Sequence, residues 1–413
     1  MFAPGFRANP EQFERTVTIA HWVFPYIFIM GTAALGVAAL NTHERFVVTS
    51  FSPALLNVSF IAFALVLPSV LGARGQDRIL AMAVGALVGG VLQMVAQWPS
   101  LRAIGYFDPP KFDLAHPGVR ESLRRITPTL FGIGVYYIDV IVGRRLLSEL
   151  GEGPISYFGF ALRVCDFPQG IFVMALQTAT LPSLSVFVAR RDFTELGRTF
   201  AFSMRLALFV GIPASVLLAV LAEPIVSLLF QRGAFDLEST RETARALIGQ
   251  GAGVFLVAGI RQLVAVFFAL GDTRTPVIVS ALDLCVFVGV AILLRDSFGH
   301  VGVSWAVSAA SLAQFVLLWW FLHKRVPELY TGEVLRSALK TLVASALAAV
   351  VTYFAIRFVG ITSESSAFLR LVPALLGTTL FGATFLLTCR ALGSEELTAI
   401  VEPLRSRLLR RRA

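Results

Sequence analysis

The segment ALIGQGAGVFLVAGIRQLVAVFFA, residues 246–269, decides the fold of this chain. It contains a single charged side chain, Arg261, and two glutamines among Ala, Val, Leu, Ile, Phe and Gly residues. A helix needs roughly 20 mostly apolar residues to cross the hydrocarbon core of a bilayer. The segment therefore predicts a membrane-spanning helix that carries one arginine within the membrane.

Similar apolar blocks recur along the whole chain. Of the 413 residues, 56% are hydrophobic and 15% are charged, whereas an ordinary soluble domain is about 25% charged. The pattern predicts an all-α integral membrane protein with about eleven transmembrane helices. The predicted spans are 17–40, 53–70, 79–98, 126–143, 155–181, 206–222, 246–269, 277–294, 301–322, 341–356 and 371–389.

The distribution of Lys and Arg predicts the topology. The net charge is +9, and because the basic residues lie at span ends, they argue for membrane orientation and against a nucleic-acid partner. One set of alternate loops, together with the C-terminus, carries 21 Lys and Arg, and the other set carries 12. Cytoplasmic loops are enriched in Lys and Arg, so we expect a cytoplasmic C-terminus and anionic membrane lipids around the basic tail.

Eleven spans would place the polar N-terminus outside the cytoplasm. Two explanations remain open at this point. Either an odd number of upstream spans is absent from this sequence, or one span has been miscounted. The long loop 183–205 mixes Phe and Leu with Arg, and this composition predicts a helix that lies at the membrane interface.

Five ionisable residues fall inside predicted spans. A charged side chain near the centre of a membrane helix costs about 2.5–3.5 kcal/mol on insertion scales. Such residues therefore indicate an internal pathway or a pair that faces the interior of the bundle. They are Asp139, Arg163, Asp166, Arg261 and Asp283.

Arg163 and Asp166 form the leading candidate for a substrate site. They are three residues apart and so share one face of a helix, and Pro168 follows with its tendency to break the helix. Charged groups beside a broken helix recur at transporter substrate sites, and a guanidinium group suits phosphate. The alternative is an internal salt bridge between the two residues that only holds the bundle together.

Two further residues are candidates with open alternatives. Arg261 either lines the same pathway or extends towards the membrane surface. Asp139, in VYYIDVIVG, is a candidate for cation or proton coupling, the alternative being a structural pair with an arginine on a neighbouring helix. The sequence has no Walker A motif and no hydrolase motif, and its five histidines and three cysteines lack the spacing of metal ligands. We therefore expect a transporter without cofactor or metal, and not an enzyme.

Several strings resemble the MurJ/MviN family of lipid II flippases. They are FALRVCDFPQGIFVMALQTATLPSLS at 160–185, LLFQRGAFD at 228–236, ALGDTRTPV at 269–277 and GHVGVSWAVSAA at 299–310. The resemblance covers essentially the whole chain. It implies two helical bundles around a central cavity in the bacterial inner membrane. It also implies a monomer that moves the undecaprenyl-pyrophosphate-linked peptidoglycan precursor by alternating access.

The resemblance also implies roles for residues and shows departures. Arg163 matches the family's essential cavity arginine, which is thought to hold the pyrophosphate, and Arg261 matches another basic position. The family has fourteen spans, and this chain begins where the third has ended, so other cavity arginines have no counterpart. Asp139 could match the acid of a sodium site found in some members, but Phe287 and Ala291 fall where polar ligands would be expected.

These observations predict three regions and leave three functions open. Residues 1–125 would be the remnant of the first bundle, 126–330 most of the second bundle with the cavity arginine, and 331–413 two further spans with a basic tail. The first function is lipid II flipping. The second is flipping of another polyprenyl-linked saccharide or drug/cation antiport, and the third is a non-transporting remnant or partner subunit.

Overall fold

A computed structural model of the chain describes residues 9–70, 77–106, 113, 116–170, 174–326, 328–360 and 369–399, except for some side chains within helices (68, 77–78, 125, 127–137, 139, 174–175 and 178). The described part is helical and contains no strand. Its helices are α1 (Pro10–Val23), α2 (Pro25–Thr42), α3 (Phe46–Val70), α4 (Asp77–Ala103), α5 (Pro117–Ser148), α6 (Pro154–Pro168), α7 (Met174–Ala189), α8 (Phe193–Val220), α9 (Ala222–Phe230), α10 (Leu237–Gly251), α11 (Val254–Ala269), α12 (Arg274–Arg325), α13 (Thr331–Val359) and α14 (Leu371–Ala391). The all-α membrane fold predicted from the sequence is confirmed.

Within the described residues, eight helical segments are long and apolar enough to cross a membrane. One of them, Arg274–Arg325, contains two of the spans predicted from the sequence. The predicted span 155–181 is divided between α6 and α7, and the side chains in the middle of the predicted span 126–143 lie outside the described residues. The count of eleven spans therefore stays a prediction.

The described residues divide into two compact units, one within Phe6–Leu123 and the other within Arg124–Ala413. In the N-terminal unit, α4 packs against α3 and α2. A Cβ atom placed on Gly89 would lie 2.9 Å from Ser59, and one on Gly90 would lie 3.0 Å from Ile29. Ser59 also donates a hydrogen bond of 2.8 Å to the carbonyl oxygen of Gly85. Small residues on α4 thus let the helix backbones approach closely, as is common in membrane helix packing.

The C-terminal unit is built around α8. Its largest apolar cluster joins α8, α11 and the second half of α12. Leu196, Phe200 and Met204 are fully buried in this cluster. The depth of segment 183–205 in the membrane, predicted to be interfacial, stays a prediction. The segment ends α7 and then forms the buried first half of α8, because its apolar residues recur at helical spacing and face the core.

Helix α12 folds back on itself. Gly299 has a φ of 58° and a ψ of −137°, which interrupts the helix. Gln314 donates a hydrogen bond of 3.1 Å to Ser280, although these residues would lie about 51 Å apart in a straight helix. The two halves are therefore antiparallel, as the separate predicted spans 277–294 and 301–322 require.

We expect Gly302→Ala to weaken this hairpin. A Cβ atom at position 302 would lie 2.5 Å from the carbonyl oxygen of Leu294, so the two halves must separate. Overpacking of this kind costs about 1–3 kcal/mol. Thermal unfolding of the purified protein in detergent should show a lower midpoint for Gly302→Ala. Gly289→Ala is the matched control because nothing lies within 4 Å of that position, and an equal loss in both variants would contradict the hairpin packing.

Polar contacts gather the loops of the C-terminal unit at two ends. At the first, here called the Glu149 end, Arg295 pairs with Glu149 at 2.5 Å, and the imidazole of His300 lies 3.1 Å from the carbonyl oxygen of Glu242. Arg370 also donates to the carbonyl oxygen of Gln231 at 3.1 Å, from a distant part of the chain. The loops that meet here are those that the charge pattern assigns to the less basic side.

The opposite end, here called the Arg205 end, gathers the more basic loops. Thr194 donates to Glu328 at 3.0 Å, and Asp272 forms an ion pair with Arg325. Arg205 joins α8 to the segment after α14 through Glu395 and Glu396. The alternation of loops predicted from the sequence thus agrees with the contacts within this unit.

Candidate functional site

The site begins at the end of α6. Helix α6 runs from Pro154 to Pro168, continues through a single π-helical turn at 169–170, and is followed by α7 from Met174. Proline lacks the backbone N–H and clashes with the preceding turn, so a helix tends to kink or break there. The helix changes from α-helical to π-helical geometry directly after Pro168. Because residues 171–173 lie outside the described part, the predicted break in the helix stays a prediction.

Arg163 is exposed on α6. Its guanidinium carbon lies 5.8 Å from the centre of the Phe160 ring, a distance at which a cation is attracted to the aromatic face. Phe160 itself packs against Phe230 and Phe235, at ring distances of 4.8 and 5.2 Å. An aromatic cluster therefore lies near the guanidinium group of Arg163, while the residue as a whole stays exposed.

Asp166 is also exposed, and its carboxylate is attracted electrostatically by Arg261 on α11. Within the described residues there is no ion pair between Arg163 and Asp166. The structural salt bridge considered as the alternative is therefore absent from this arrangement. Asp166 on α6 and Arg261 on α11 are near enough to interact electrostatically, and Arg163 lies one turn before Asp166 on α6. We refer to these three residues together as the charged group.

Arg261 and its neighbour carry unused hydrogen-bonding capacity. Arg261 is half-buried, and its Nε atom is buried without a hydrogen-bond partner in the described part of the protein. The Nε2 and Oε1 atoms of Gln262 are also buried without a hydrogen-bond partner in the described part of the protein, and the residue is only 1% exposed. Buried polar groups normally have partners. Sequence reasoning missed Gln262, although a glutamine beside an arginine within an apolar span was the available signal.

Gln250 fixes the position of α6. Its amide nitrogen donates to the carbonyl oxygen of Phe158 at 3.2 Å and lies 3.3 Å from the hydroxyl of Ser304. Ser308 donates to the carbonyl oxygen of Gly249 at 2.6 Å. These bonds tie α6, α10 and the second half of α12 together. They were not predicted, because the pairing of helices is not visible in a single sequence.

The predicted coupling residue Asp139 lies on α5, but its side chain is outside the described residues. One turn further along, a Cβ atom on Gly143 would lie 3.4 Å from the Phe287 ring. Phe287 and Ala291 are buried in an apolar cluster that also contains Leu146. In the described part of the chain, no group of three His, Cys, Asp or Glu residues could hold a metal ion.

The model of the family described as Lipid II flippase MurJ matches residues 1–373. The chain belongs to the MurJ lipid II flippase family. It is therefore a multi-pass membrane protein of a bacterial transporter family, as the sequence strings implied.

Curated members of the MurJ family are similar along most of the chain. The lipid II flippase MurJ of Burkholderia cenocepacia is 31% identical over 334 residues, which are 78% of this chain and 63% of that protein. The probable lipid II flippase MurJ of Bdellovibrio bacteriovorus is 30% identical over 346 residues, covering 84% of this chain and 65% of its own. The chain thus spans less than two thirds of the length of these MurJ relatives.

Solved structures support the same fold. A lipid II flippase MurJ in an inward closed conformation aligns with a TM-score of 0.72 at 22% identity, over 91% of this chain and 74% of its own. An inward-facing multidrug resistance MATE family transporter of the MOP superfamily aligns with a TM-score of 0.65 at 14% identity, over 79% of this chain and 76% of its own. At these identities the likeness concerns the fold alone.

Proposed function

We propose that this chain moves lipid II, the polyprenyl-pyrophosphate-linked peptidoglycan precursor, across the bacterial inner membrane by alternating access. Arg163 and Arg261 bind the pyrophosphate, and Asp166 holds Arg261 in place and competes with the substrate for it. The observation that carries the proposal is the set of charged side chains on α6 and α11 beside the π-helical turn that follows Pro168. No covalent step is involved.

The exposure of these charges supports a water-filled path. Arg163 and Asp166 lie in the predicted membrane region, yet both are exposed. Placed against lipid, each would cost about 2.5–3.5 kcal/mol or more. A face that is lined by water and visited by an anionic substrate avoids that cost.

The balance of charge favours an anionic substrate over a cationic drug. Two guanidinium groups and one carboxylate make up the group, so it is positive overall. Arginine also recognises phosphate oxygens in a bidentate manner. Membership of the MurJ family favours lipid II over another polyprenyl-linked saccharide, and the likeness to a multidrug transporter is one of fold.

A direct test uses the full chain reconstituted into vesicles with fluorescent lipid II in the inner leaflet. We expect lipid II to become accessible to an external quencher faster than in protein-free vesicles. A second polyprenyl pyrophosphate with a different saccharide serves as the substrate control. Equal rates for both lipids would exclude selectivity for lipid II, and rates equal to those of empty vesicles would contradict the proposed transport.

We also propose that the Arg205 end and the C-terminus face the cytoplasm. The loops that meet at this end are the more basic set, which the positive-inside rule places inside. A single cysteine introduced at exposed Arg190, in a chain whose other cysteines are replaced, should resist a membrane-impermeant thiol reagent in intact cells. The same change at exposed Arg144, at the Glu149 end, should be labelled. The opposite pattern would reverse the orientation.

Asp139 is proposed to couple transport to protons rather than to sodium. A hard cation requires several oxygen ligands. Phe287 and Ala291, which fall where the resemblance would place polar ligands, are apolar and buried, whereas a carboxylate can bind a proton alone. We expect transport by the unmodified chain to depend on pH and not on sodium concentration. Asp139→Asn should flatten the pH dependence, and a sodium requirement in the unmodified chain would contradict this assignment.

A further inference from the structure

The predicted span 246–269 is broken near its start. Helix α10 ends at Gly251 and α11 begins at Val254, although the segment Leu237–Ala269 as a whole is long and apolar enough to cross a membrane. Backbone polar groups that a break frees within a membrane need partners from neighbouring helices or from water. The partners found at this break therefore show how the protein holds α11 against α10.

The carbonyl oxygen freed at the break belongs to Gly249. In a continuous helix it would accept a hydrogen bond from the N–H of Gly253, four residues further on. That N–H instead donates to the carbonyl oxygen of Gln250 at 3.1 Å. The hydroxyl of Ser308, on the second half of α12, donates to Gly249 at 2.6 Å. A Cβ atom on Gly253 would lie 2.7 Å from this hydroxyl oxygen, so only glycine at position 253 lets the buried Ser308 reach the break.

The N–H freed at the break belongs to Phe255, in the first turn of α11. In a continuous helix it would donate to the carbonyl oxygen of Gly251. Here it donates to the hydroxyl oxygen of Ser215, on α8, at 3.1 Å. The residue at the N-cap of α11 is Gly253, which has no side chain that could accept this bond. The buried Ser215 therefore acts as the cap from a neighbouring helix, and the break is held from two sides.

The polar side chains of α11 itself are Arg261 and Gln262. The Nε atom of Arg261 and both amide atoms of Gln262 are buried without a hydrogen-bond partner in the described part of the protein. Leu263 and Val266 pack in the largest apolar cluster of the C-terminal unit, but apolar contacts are not directional. The hydrogen bonds from Ser215 and Ser308 therefore supply directional contacts at the point where α11 begins.

The distance from the break makes the direction of α11 important for Arg261. This residue follows Gly253 by eight positions, which is about 12 Å along a helix. A change of about 10° in the direction of α11 would therefore move the backbone at Arg261 by about 2 Å. Hydrogen bonds from nitrogen to oxygen span only about 2.7–3.2 Å, so such a shift alters the bonds that the guanidinium group can form.

We propose that Ser215 and Ser308 are positioning residues for the binding of lipid II. They hold the break between α10 and α11 and thereby place Arg261 against the pyrophosphate. This inference rests on the proposed role of Arg261 as a ligand of the pyrophosphate. The two hydroxyl groups act through the direction of α11 and not through contact with the substrate.

The test variant is Ser215→Ala with Ser308→Ala in the full chain. The matched control is Ser203→Ala with Ser311→Ala, on the same two helices. Ser203 and Ser311 are also buried, but each donates to a carbonyl oxygen within its own helix at 2.9 Å. Backbone hydrogen exchange of residues 249–256 measures the break without any substrate. We expect faster exchange there in the test variant and unchanged exchange in the control.

The affinity for fluorescent lipid II in nanodiscs measures the consequence for binding. We expect the test variant to lose about tenfold, comparable to one hydrogen bond to a charged group, and the control to bind like the unmodified chain. In an Arg261→Ala background, the same two substitutions should have little effect on affinity, because the serines act through that arginine. A merely structural role would lower the unfolding midpoint without this dependence on Arg261.

Each outcome bears on a separate step. Unchanged hydrogen exchange in the test variant would overturn the role of the two serines at the break. Equal losses of affinity with and without Arg261 would overturn the positioning of that residue. Failure of the unmodified chain to bind lipid II would instead count against the proposed function, while faster exchange would still support the hold of the serines on the break. If the double variant does not fold, Ser215→Ala and Ser308→Ala are measured singly, with smaller changes expected in the same direction.

Discussion

Arg163→Ala should reduce the affinity of the full chain for lipid II by about tenfold to a hundredfold, because a hydrogen bond to a charged group contributes about 1.5–3 kcal/mol. The side chain is exposed on α6, so its removal should leave the packing of the helix intact. Arg163→Lys should recover part of the binding, since lysine keeps the charge but loses the planar, bidentate geometry. Binding of fluorescent lipid II to protein in nanodiscs measures the effect.

The control for this prediction is Arg190→Ala, which removes an exposed arginine from the turn between α7 and α8. Its affinity for lipid II should equal that of the unmodified chain. Unchanged binding in Arg163→Ala, at normal abundance and with a normal unfolding midpoint, would remove Arg163 from the proposed site.

Asp166→Asn should change binding in the opposite direction. The carboxylate attracts Arg261, so it competes with an anionic substrate for the same guanidinium group. Neutralising it frees that charge, and we expect tighter binding of lipid II with slower release. If Asp166 served only to hold the helices together, the variant would bind more weakly and unfold at a lower temperature.

Arg205→Ala should be the most destabilising single change at the Arg205 end, costing about 3–5 kcal/mol of unfolding free energy. Its Nε atom lies 2.6 Å from Glu396, its Nη2 atom 2.5 Å from Glu395 and its Nη1 atom 3.4 Å from Glu333. Glu396 is only 3% exposed, so loss of the arginine leaves a buried carboxylate without its counter-charge. Equilibrium unfolding in mixed detergent micelles measures the difference.

Two comparisons separate this effect from a general loss of surface charge. Arg198→Ala breaks an exposed pair with Glu195 on the same helix, and exposed pairs contribute about 0–1 kcal/mol. In a Glu396→Ala background, Arg205→Ala should cost much less than in the unmodified chain. Equal costs for Arg198→Ala and Arg205→Ala would show that Arg205 does not act through a buried partner.

The same cluster should make the protein sensitive to acid. Burial raises the pKa of Glu396, but hydrogen bonds from Ser394, Arg205 and Ser337 outweigh burial and hold the pKa below its ordinary value. A carboxylate with a lowered pKa in the folded state stabilises the fold above its unfolded pKa, about 4.3. That stability is lost as the pH falls through the lowered value. The free energy of unfolding of Glu396→Gln should therefore fall less than that of the unmodified chain when the pH is lowered from 5 to below the pKa of Glu396 in the folded state.

Much of the fold could be predicted because membrane helices obey a strong local rule. Backbone polar groups must be satisfied within each segment, so a run such as 246–269 predicts helical structure, although the turn between Gly251 and Val254 that separates α10 from α11 was not predicted. The π-helical turn after Pro168 is also a local feature, since a proline alters its own turn. The sequence also predicted the two spans on either side of Gly299, but the conformation of Gly299 and the hydrogen bond from Gln314 to Ser280 that joins the two halves of α12 were seen only in the structure.

The candidate site was predicted in part. Arg163, Asp166 and Arg261 were identified because a charge inside an apolar run is costly wherever its helix packs. The positions of these three side chains relative to one another were not predicted. The sequence spacing placed Arg163 and Asp166 on one helix face and left open a salt bridge between them, whereas in the structure Asp166 interacts electrostatically with Arg261. The packing of α6 through Gln250 was likewise invisible in the sequence, because it depends on residues far apart in the chain.

By itself, the sequence determined an all-helical membrane protein, the alternation of its loops and the charged residues that fall within predicted spans. These are properties of single segments, fixed by hydrophobic length and local charge. Only the tertiary structure decided which charges meet, which loops share an end, and that hydroxyl groups from α8 and α12 hold the break between α10 and α11. Those features depend on how helices pack, and packing joins residues that no local pattern connects.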